Sequence, residues 1–571
     1  MSVSKLWSMI SGMEGARRGT KGEEFTHQYL GKLAKELDAA IGYTANGGRA
    51  EAPKPKEGTI ERVRDYERVG EERKHPVIAG EAGRCTVRVT DDLGNRLIAE
   101  IKLFPAECRA EAENFDFSAP MQDYFRRYTD RQGRFSMELA AGTYRLEVSK
   151  GSEYSITVTA VEIRAGEETV TELVLHRFID LTEQCWYAGD LHHHSVYSSP
   201  LFPPQGTDYV YDTPQIVADS MQAMGLAYGA LSDHHNVLNH REWEACKTAD
   251  FLPIISKEIS TSNGHVLALN ADPDVIYRIP TEKERTQDYL RQEYLRVTKE
   301  ICSYGGHPQI NHPRDMQKAI SFPEEFTDMI EIFHTIEIWN GSHPMEAGTT
   351  NDQAMELWLS LLEENRFIAA TTGSDTHEVS LEFWLDSFGY VFGLYRAVKE
   401  HYGELSDEDK KKADVFLGML TPQLPLVAEW GRRNLTSGCV RTYVHAGGEK
   451  TPENLLAHLK RGNSFVTNGP ILIASLLGAE MGETAKYPVD ATELTVRLTI
   501  LSNRPLTRLF IHKNGRRTEE FPLPEVECEN GCYDYSGEIR IAAADASWLI
   551  FQVKDNFTNQ AITNPVFLEA E

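Results

Sequence analysis

The stretch Tyr187-Ala-Gly-Asp-Leu-His-His-His-Ser195 concentrates residue types that bind metal ions. Trp186, Tyr187 and Ala188 read as a short strand, and the polar residues begin where that strand should end. In an extended chain alternate side chains share a face, so His192 and His194 point together and His193 points away. Two imidazoles so placed can chelate one ion, and neutral imidazole is the commonest protein ligand for it. An expression tag or a solvated cluster offers the same residues. A tag, however, sits at a terminus with no strand in front of it, so the metal reading is preferred.

Polar residues follow or open six further strand-like runs. Leu226–Leu231 runs into Asp233-His234-His235-Asn236, Phe251–Ile255 into Lys257-Glu258, and His265 opens Val266–Leu269. Gln309-Ile310 leads to Asn311-His312-Pro313-Arg314-Asp315, Ile336–Trp339 to Asn340-Gly341-Ser342-His343, and Phe367–Thr372 to Gly373-Ser374-Asp375-Thr376-His377. Twelve of the nineteen histidines lie between His192 and His377. A purely structural account gives no reason for histidines to gather at strand ends. No cysteine joins these motifs, which points to imidazole and carboxylate ligands and so to zinc, manganese or iron.

The elements that must position these residues are strands alternating with helices, an α/β pattern over residues 181–470. Thr213-Pro214 opens one helix and Gly225 closes it. Leu290, Tyr294, Val297 and Ile301 stripe a second, and Ala354, Trp358, Leu361 and Leu362 a third. In barrels and open α/β sheets the site gathers at the carboxyl ends of strands, so positions far apart in sequence converge. Residues 380–433, with Phe383, Trp384, Phe388, Tyr390 and Phe392, read as a helical insertion. Either they wall the pocket or they are core.

The flanks differ. Residues 81–180 alternate with period two between Gly/Asp/Asn turns (Val87 and Val89, then Asp91–Asn95), the pattern of a β-sandwich. Residues 471–571 repeat it with Leu494, Val496, Leu498 and Ile500, a turn at Lys513-Asn514-Gly515, and a buried strand Trp548–Val553. Residues 1–80 contain one helical stripe, Glu23 to Ile41, and a Gly/Pro/Lys linker.

Composition excludes other classes. At 571 residues the chain holds several domains, and its formal charge of −27 opposes a nucleic-acid coat, which needs clustered Lys and Arg. No apolar run approaches the ~20 residues of a membrane span, and the start carries no secretory signal, so a cytoplasmic protein with reduced cysteines is expected. Nothing in the composition decides whether it forms oligomers.

The order of the motifs resembles the polymerase and histidinol phosphatase (PHP) family of metal-dependent hydrolases. That family opens with "D-L-H-x-H-S/T", continues through "D-H-N/D", a Glu, "G-H" and "x-H-P", and closes with "S-D-x-H". Here these are Asp190-Leu-His192-His-His194-Ser195, Asp233-His234, Glu258, Gly264-His265, Asn311-His312-Pro313 and Ser374-Asp375-Thr-His377. The preceding β module, Arg441-Thr-Tyr-Val444, Gly462–Pro470 and Thr563-Asn-Pro565 are similar to the carbaryl-hydrolase-like (CehA/McbA) branch. The resemblance implies a distorted (β/α)7 barrel flanked by two β-sandwich (Ig-like) domains. It implies His192, His194, Glu258 and Asp375 around one metal, and Glu258 bridging to a second held by His265 and His312. His234 and His377 would form a third site or complete the pair. Where many members carry "S-D-G" this chain has Ser198-Ser199-Pro200, followed by a loop with Asp208 and Asp212, so two ions fit as well as three.

Such ions polarise a scissile group and lower the pKa of water. The expected activity is therefore hydrolysis of a small molecule, with Asp375 and His377 catalytic and Arg314 offered to an anionic substrate. A phosphoester is preferred, and a carboxylic ester, amide or carbamate is the alternative. A barrel that has lost activity and acts only in binding is disfavoured, because the ligand positions are kept. His193 and His235 could support ligands or be solvated, Glu337 and Asn340 could orient ligands, and His307 or His343 could protonate a leaving group.

Overall fold

In the computed structural model, residues 80–571 are described except 106–124, 199–209, 211, 262, 272–274, 276–280, 282, 316–319, 342–344, 346–348, 378, 380–397, 400, 421–435, 515–516, 544–545 and 557–558. The expected helix at Glu23 to Ile41, Asp208, His343 and the aromatic residues Phe383 to Phe392 lie outside the described residues. The chain is a mixed α/β protein rich in sheet.

Strands β1 (Ala82–Asp91), β2 (Glu100–Pro105), β3 (Phe125–Tyr128), β4 (Arg134–Ala140), β5 (Gly142–Ser149), β6 (Thr157–Ile163) and β7 (Glu168–Leu175) form two sheets, ordered β4-β1-β7 and β3-β2-β5-β6. The period-two pattern buries Cys85, Val87 and Val89 of one sheet against Ile101, Leu103, Leu146 and Val148 of the other. Asp91 makes the turn after β1, its Oδ1 accepting from the amides of Leu93 and Asn95.

Next come β8 (Trp186–Asp190), β9 (Tyr228–Leu231), β10 (Leu252–Ile255), β11 (Glu258–Ser260), β12 (His265–Leu269), β13 (His307–Asn311), β14 (Thr335–Asn340), β15 (Ala369–Gly373), β16 (Arg441–His445) and β17 (Ser464–Thr467). Pairing runs β8-β9-β10 in one sheet and β11-β12-β13-β14-β15 in another, and the chain passes directly from β10 into β11. A parallel bridge between His193 and Thr376 joins the segments after β8 and β15, so the path of seven stretches returns to its start. One stretch departs from the parallel expectation: β12 is antiparallel to both neighbours. Only residues 261–264 link β11 to β12, and a parallel crossover needs a dozen or more. The reversal puts His265, the first residue of β12, on the rim that the other strands reach with their last residues.

Helices α1 (Pro214–Ala223), α2 (His240–Ala245), α3 (Gln287–Ser303), α4 (Thr350–Glu363), α5 (Asp407–Leu420) and α6 (Pro452–Arg461) complete this part. Four of them open on threonine. The Thr213, Thr286, Thr349 and Thr451 side chains each accept from the amide three residues on, and Pro214 and Pro452 supply the preset first turn. The stripes read from sequence are the buried faces of α3 (Leu290, Tyr294, Val297, Ile301) and α4 (Ala354, Trp358, Leu361, Leu362).

The remaining strands are β18 (Ile471–Leu476), β19 (Ala479–Glu480), β20 (Thr484–Tyr487), β21 (Glu493–Ser502), β22 (Arg508–Lys513), β23 (Arg517–Pro522), β24 (Cys528–Glu529), β25 (Cys532–Asp534), β26 (Gly537–Ala542), β27 (Trp548–Lys554), β28 (Gln560–Thr563) and β29 (Val566–Ala570). β18, β19, β21 and β24–β26 make a six-stranded sheet. The others extend the sheet of β8: its order β10-β9-β8-β16-β17-β28-β27-β22-β23 crosses residue 470 without a break in pairing. One apolar cluster likewise holds Trp186, Tyr443 and Phe465 together with Leu472, Val496, Phe551 and Val566. The seven described cysteines are free, and no described helix is long and apolar enough to cross a membrane.

Candidate metal centre

The rim segments are locked to one another by backbone. His192 O accepts from Asp375 N at 2.8 Å, and Thr376 O accepts from His194 N at 3.0 Å. Beneath them Asp190, fully buried, accepts from the amides of His192, Ser374 and Gly438. Three non-glycine residues at the rim hold positive φ: His235 at 59°, His312 at 23° and Asp375 at 51°. Such backbone costs free energy and persists only where the surroundings over-determine it. Gly373 lets β15 approach, since a Cβ there would sit 2.2 Å from both Glu337 Oε1 and His192 Cβ.

Glu258 is the centre of the cluster. Its carboxylate lies 3.3 Å from His192 Nε2, 3.5 Å from His194 Nε2, 3.2 Å from His234 Nδ1, 2.9 Å from His265 Nδ1 and 3.4 Å from His312 Nε2. Asp375 Oδ1 lies 3.3 Å from His192 Nε2, 3.1 Å from His194 Nε2 and 3.8 Å from His377 Nδ1. Three triads have the spacing to hold an ion: His192–Glu258–His312, His192–His194–Asp375 and His194–His234–His377. All eight residues predicted as ligands thus converge. His265 joins through Glu258 rather than through a triad, and His192 and His194 each take part in two groups.

The hydrogen bonds around the cluster fix the tautomers. Glu337 Oε1 can only accept, so His192 Nδ1 carries the proton that meets it at 3.2 Å. Ser198 Oγ donates to Asp233 Oδ1 at 2.7 Å and therefore accepts from His194 Nδ1 at 2.8 Å. Both rings then turn Nε2 lone pairs toward each other, 3.2 Å apart, and toward two carboxylates. Facing lone pairs buried with anions require a cation among them. Without a metal, protons serve. Burial opposes the charge on His192, but Asp375, Glu258 and Glu337 outweigh it and raise its pKa well above the usual value. His312, buried likewise, is raised to about 9 by Glu258. Burial depresses His194 to about 3, with the charge of His377 adding to it, so that ring is already a neutral donor. Burial disfavours the charged forms of Glu258 and Asp375, yet the surrounding imidazoles hold both well below the carboxylate range. Imidazole lone pairs and ionised carboxylates are the donor set of a divalent transition ion.

The other candidates separate. Glu337 binds His192 Nδ1 and accepts from the amide of His312 at 2.7 Å, and Asn340 Nδ2 donates to Asp375 Oδ2 at 3.1 Å. Both orient members of the cluster. His193 is turned away, with Nε2 2.8 Å from Ser437 Oγ, and burial holds it neutral with a pKa of about 3. His235 is depressed to about 3 as well, by burial and by His234. His307 sits at the far end of β13, about 13 Å along the strand from Asn311, so it cannot protonate a leaving group at the rim. Arg314 Nη1 donates to the carbonyls of Pro313 and Phe322. Asp212 ties two rim loops, its Oδ2 accepting from Val379 N and its carbonyl from Val196 N.

Sequence reading assigned no role to Asp190, Asp233, Ser198 or Asn311. Asp233 accepts from Ser195 N, Ser195 Oγ, Ser198 Oγ and Asn239 Nδ2 and so builds the loop that carries His194. The available signal was an aspartate immediately before or two residues before a ligand histidine, at Asp233-His234 and Asp190-x-His192.

No family model matches the chain, and no curated protein matches it. Solved structures do. A protein provisionally described as a metal-dependent phosphoesterase from Bifidobacterium adolescentis is 17% identical over 33% of this chain and 87% of its own, with a TM-score of 0.25. An amidohydrolase from Chromobacterium violaceum, with bound sulfate and no metal, is 17% identical over 33% and 87%, at 0.24. The 3-chlorocatechol 1,2-dioxygenase of Rhodococcus opacus is 12% identical over 31% and 96%, at 0.15. At these TM-scores the likenesses carry no argument about fold or activity.

Proposed function

We propose that this protein is a metal-dependent hydrolase of the PHP type, of the carbaryl-hydrolase-like branch, acting on a small molecule. The observation that carries the reading is the convergence of five imidazoles and two carboxylates into three overlapping donor triads on one rim, with a sixth imidazole, His265, against Glu258. The order of the motifs and the closed path of seven strand stretches support it. Two or three zinc, manganese or iron ions fit the donors. Bound there, such ions supply Lewis acidity toward the scissile group and lower the pKa of water.

The chain's own residues do the rest. Asp375 and His377 are the most open members, with side chains 20% and 21% exposed against 0–1% for His192, His194 and Glu258. Substrate therefore arrives at their side. His377 Nδ1 donates to its neighbour Asp375 O at 2.9 Å, which leaves Nε2 as its basic nitrogen, able to accept a proton or to ligate. Asn340 holds the Asp375 carboxylate in register, and Glu337 does the same for the His192 imidazole.

A small phosphoester is the first substrate class. One observation favours the second, a neutral carbonyl ester or carbamate: the Arg314 guanidinium is drawn to backbone carbonyls. The test is hydrolysis of both classes by wild type and Arg314→Ala. If Arg314 binds phosphate, phosphoester turnover falls roughly tenfold or more while carbamate turnover holds. Indifference of the variant, with wild type cleaving only neutral carbonyl substrates, overturns the phosphoester preference.

A further inference from the structure

The interior of the strand ring holds a polar chain that ends on Glu258. His307, Gln309 and Asn311 alternate along β13 and so share its inner face. Asn311 Nδ2 lies 2.8 Å from Glu258 Oε1, and Gln309 Nε2 lies 3.2 Å from Asn311 Oδ1. The hydroxyls of Thr335 and Thr371 each lie 3.0 Å from Gln309 Oε1, and His307 Nε2 lies 3.0 Å from Thr335 Oγ1. Gln309, Asn311, Thr335 and Thr371 are fully buried, and His307 is 4% exposed.

The direction of this chain follows from its end. The Glu258 carboxylate only accepts, so Asn311 must turn its amide nitrogen toward it. Asn311 Oδ1 then needs a donor, which turns Gln309 Nε2 inward and Gln309 Oε1 toward the threonines. Thr335 spends its proton on Gln309 and accepts from His307, whose burial keeps it neutral with its pKa well below the usual value. Each link from His307 through Thr335, Gln309 and Asn311 donates toward Glu258, while the single proton of Thr371 is shared between Gln309 Oε1 and the Ile336 carbonyl at 3.1 Å. A sequence of aligned donors polarises along its length and strengthens the last bond.

We propose that Asn311, aligned by Gln309 and the threonine hydroxyls, is a positioning residue that orients the Glu258 carboxylate for metal binding. The inference rests on the metal-centre reading above. Oε1 is the oxygen nearest His192, His265 and His312, so its direction decides where the shared ligand points. Removing hydrogen-bond partners of metal ligands typically costs 10–100-fold in affinity.

The test compares Asn311→Leu, which keeps the volume and loses the donor, with Gln309→Met, which frees Asn311 to rotate. Manganese affinity is measured by chelator competition, and the visible spectrum of the cobalt-loaded protein is recorded. Asn311→Leu is expected to bind manganese tenfold or more weakly with altered cobalt bands, and Gln309→Met to show the same change to a lesser degree. A merely structural role would lower the melting temperature without altering the cobalt bands of the folded fraction. Wild-type affinity and spectrum in both variants overturn the inference and leave the metal reading intact. Wild type that binds neither ion overturns both. If Asn311→Leu does not fold, Gln309→Met decides by the same two readouts.

Discussion

Glu337 shows at the scale of one residue how the site is held. It touches two members of the cluster without pointing at its centre, through His192 Nδ1 and the amide of His312. Glu337→Ala is expected to lower metal affinity by roughly 10–100-fold while the protein stays folded, as read by chelator competition beside thermal melting. Unchanged affinity would remove Glu337 from the site. Gly373→Ala tests the same packing from β15. Its new Cβ would meet both Glu337 and His192 at 2.2 Å, so we expect about 1–3 kcal/mol of destabilisation in denaturant titration and reduced metal content. Wild-type values for both would contradict the geometry. The members of the cluster stood out in sequence because histidine at a strand end has few structural uses. Asp190, Asp233 and Asn311 were not, because each acts on groups brought near only by folding: Asp190 on Gly438, Asn311 on Glu258.

At the scale of elements, the alternation of strand and helix predicted the order of pieces but not their direction. The polar start of β12 was visible at His265. Its reversal followed from a link too short to cross over, which hydrophobic pattern does not report. Strand-to-strand ties across the sheets were equally hidden. His445 at the end of β16 stacks on Trp186 at 4.8 Å between ring centroids and bonds Glu480 of β19 at 2.6 Å. That bond raises the His445 pKa above its ordinary value, against a smaller opposing effect of burial. The folded state thus holds the proton more tightly than the unfolded chain, whose histidine titrates near ~6.5. The stabilisation is complete below that pH and is lost as pH rises through the folded value. His445→Gln should therefore lower the melting temperature more at pH 5.5 than at pH 9. A penalty that is equal or larger at pH 9 would refute the linkage.

At the scale of the molecule, the sheet that supports the rim does not stop where the histidine-bearing motifs do. β17 pairs with β28 through Phe465–Thr563, Val466–Ile562 and Thr467–Ala561, and Asn564 bonds both Ala370 and Ser464. Residues 471–571 read from sequence as a separate sandwich because period-two alternation identifies strands without naming their partners. Cutting the chain after residue 470 would expose an open sheet edge and the apolar face of Trp186, Tyr443 and Phe465. We expect that truncation to lose cooperative melting, and a folded, metal-binding fragment would contradict the shared core. The N-terminal sheets are joined less extensively, through bonds such as Tyr128 to Val379 O and Lys150 to Gln222 O.

The central claim is that the converged imidazoles and carboxylates form a metal centre that performs hydrolysis. It is tested most directly by measuring metal content and hydrolytic activity together, in wild type and in Asp375→Ala, before and after chelation and metal restoration. The account predicts about two to three transition-metal ions per wild-type chain, activity that falls with chelation and returns with zinc, manganese or iron, and a folded variant without activity. A folded, metal-free wild type that gains neither metal nor activity on addition of these ions, or a variant as active as wild type, would contradict it.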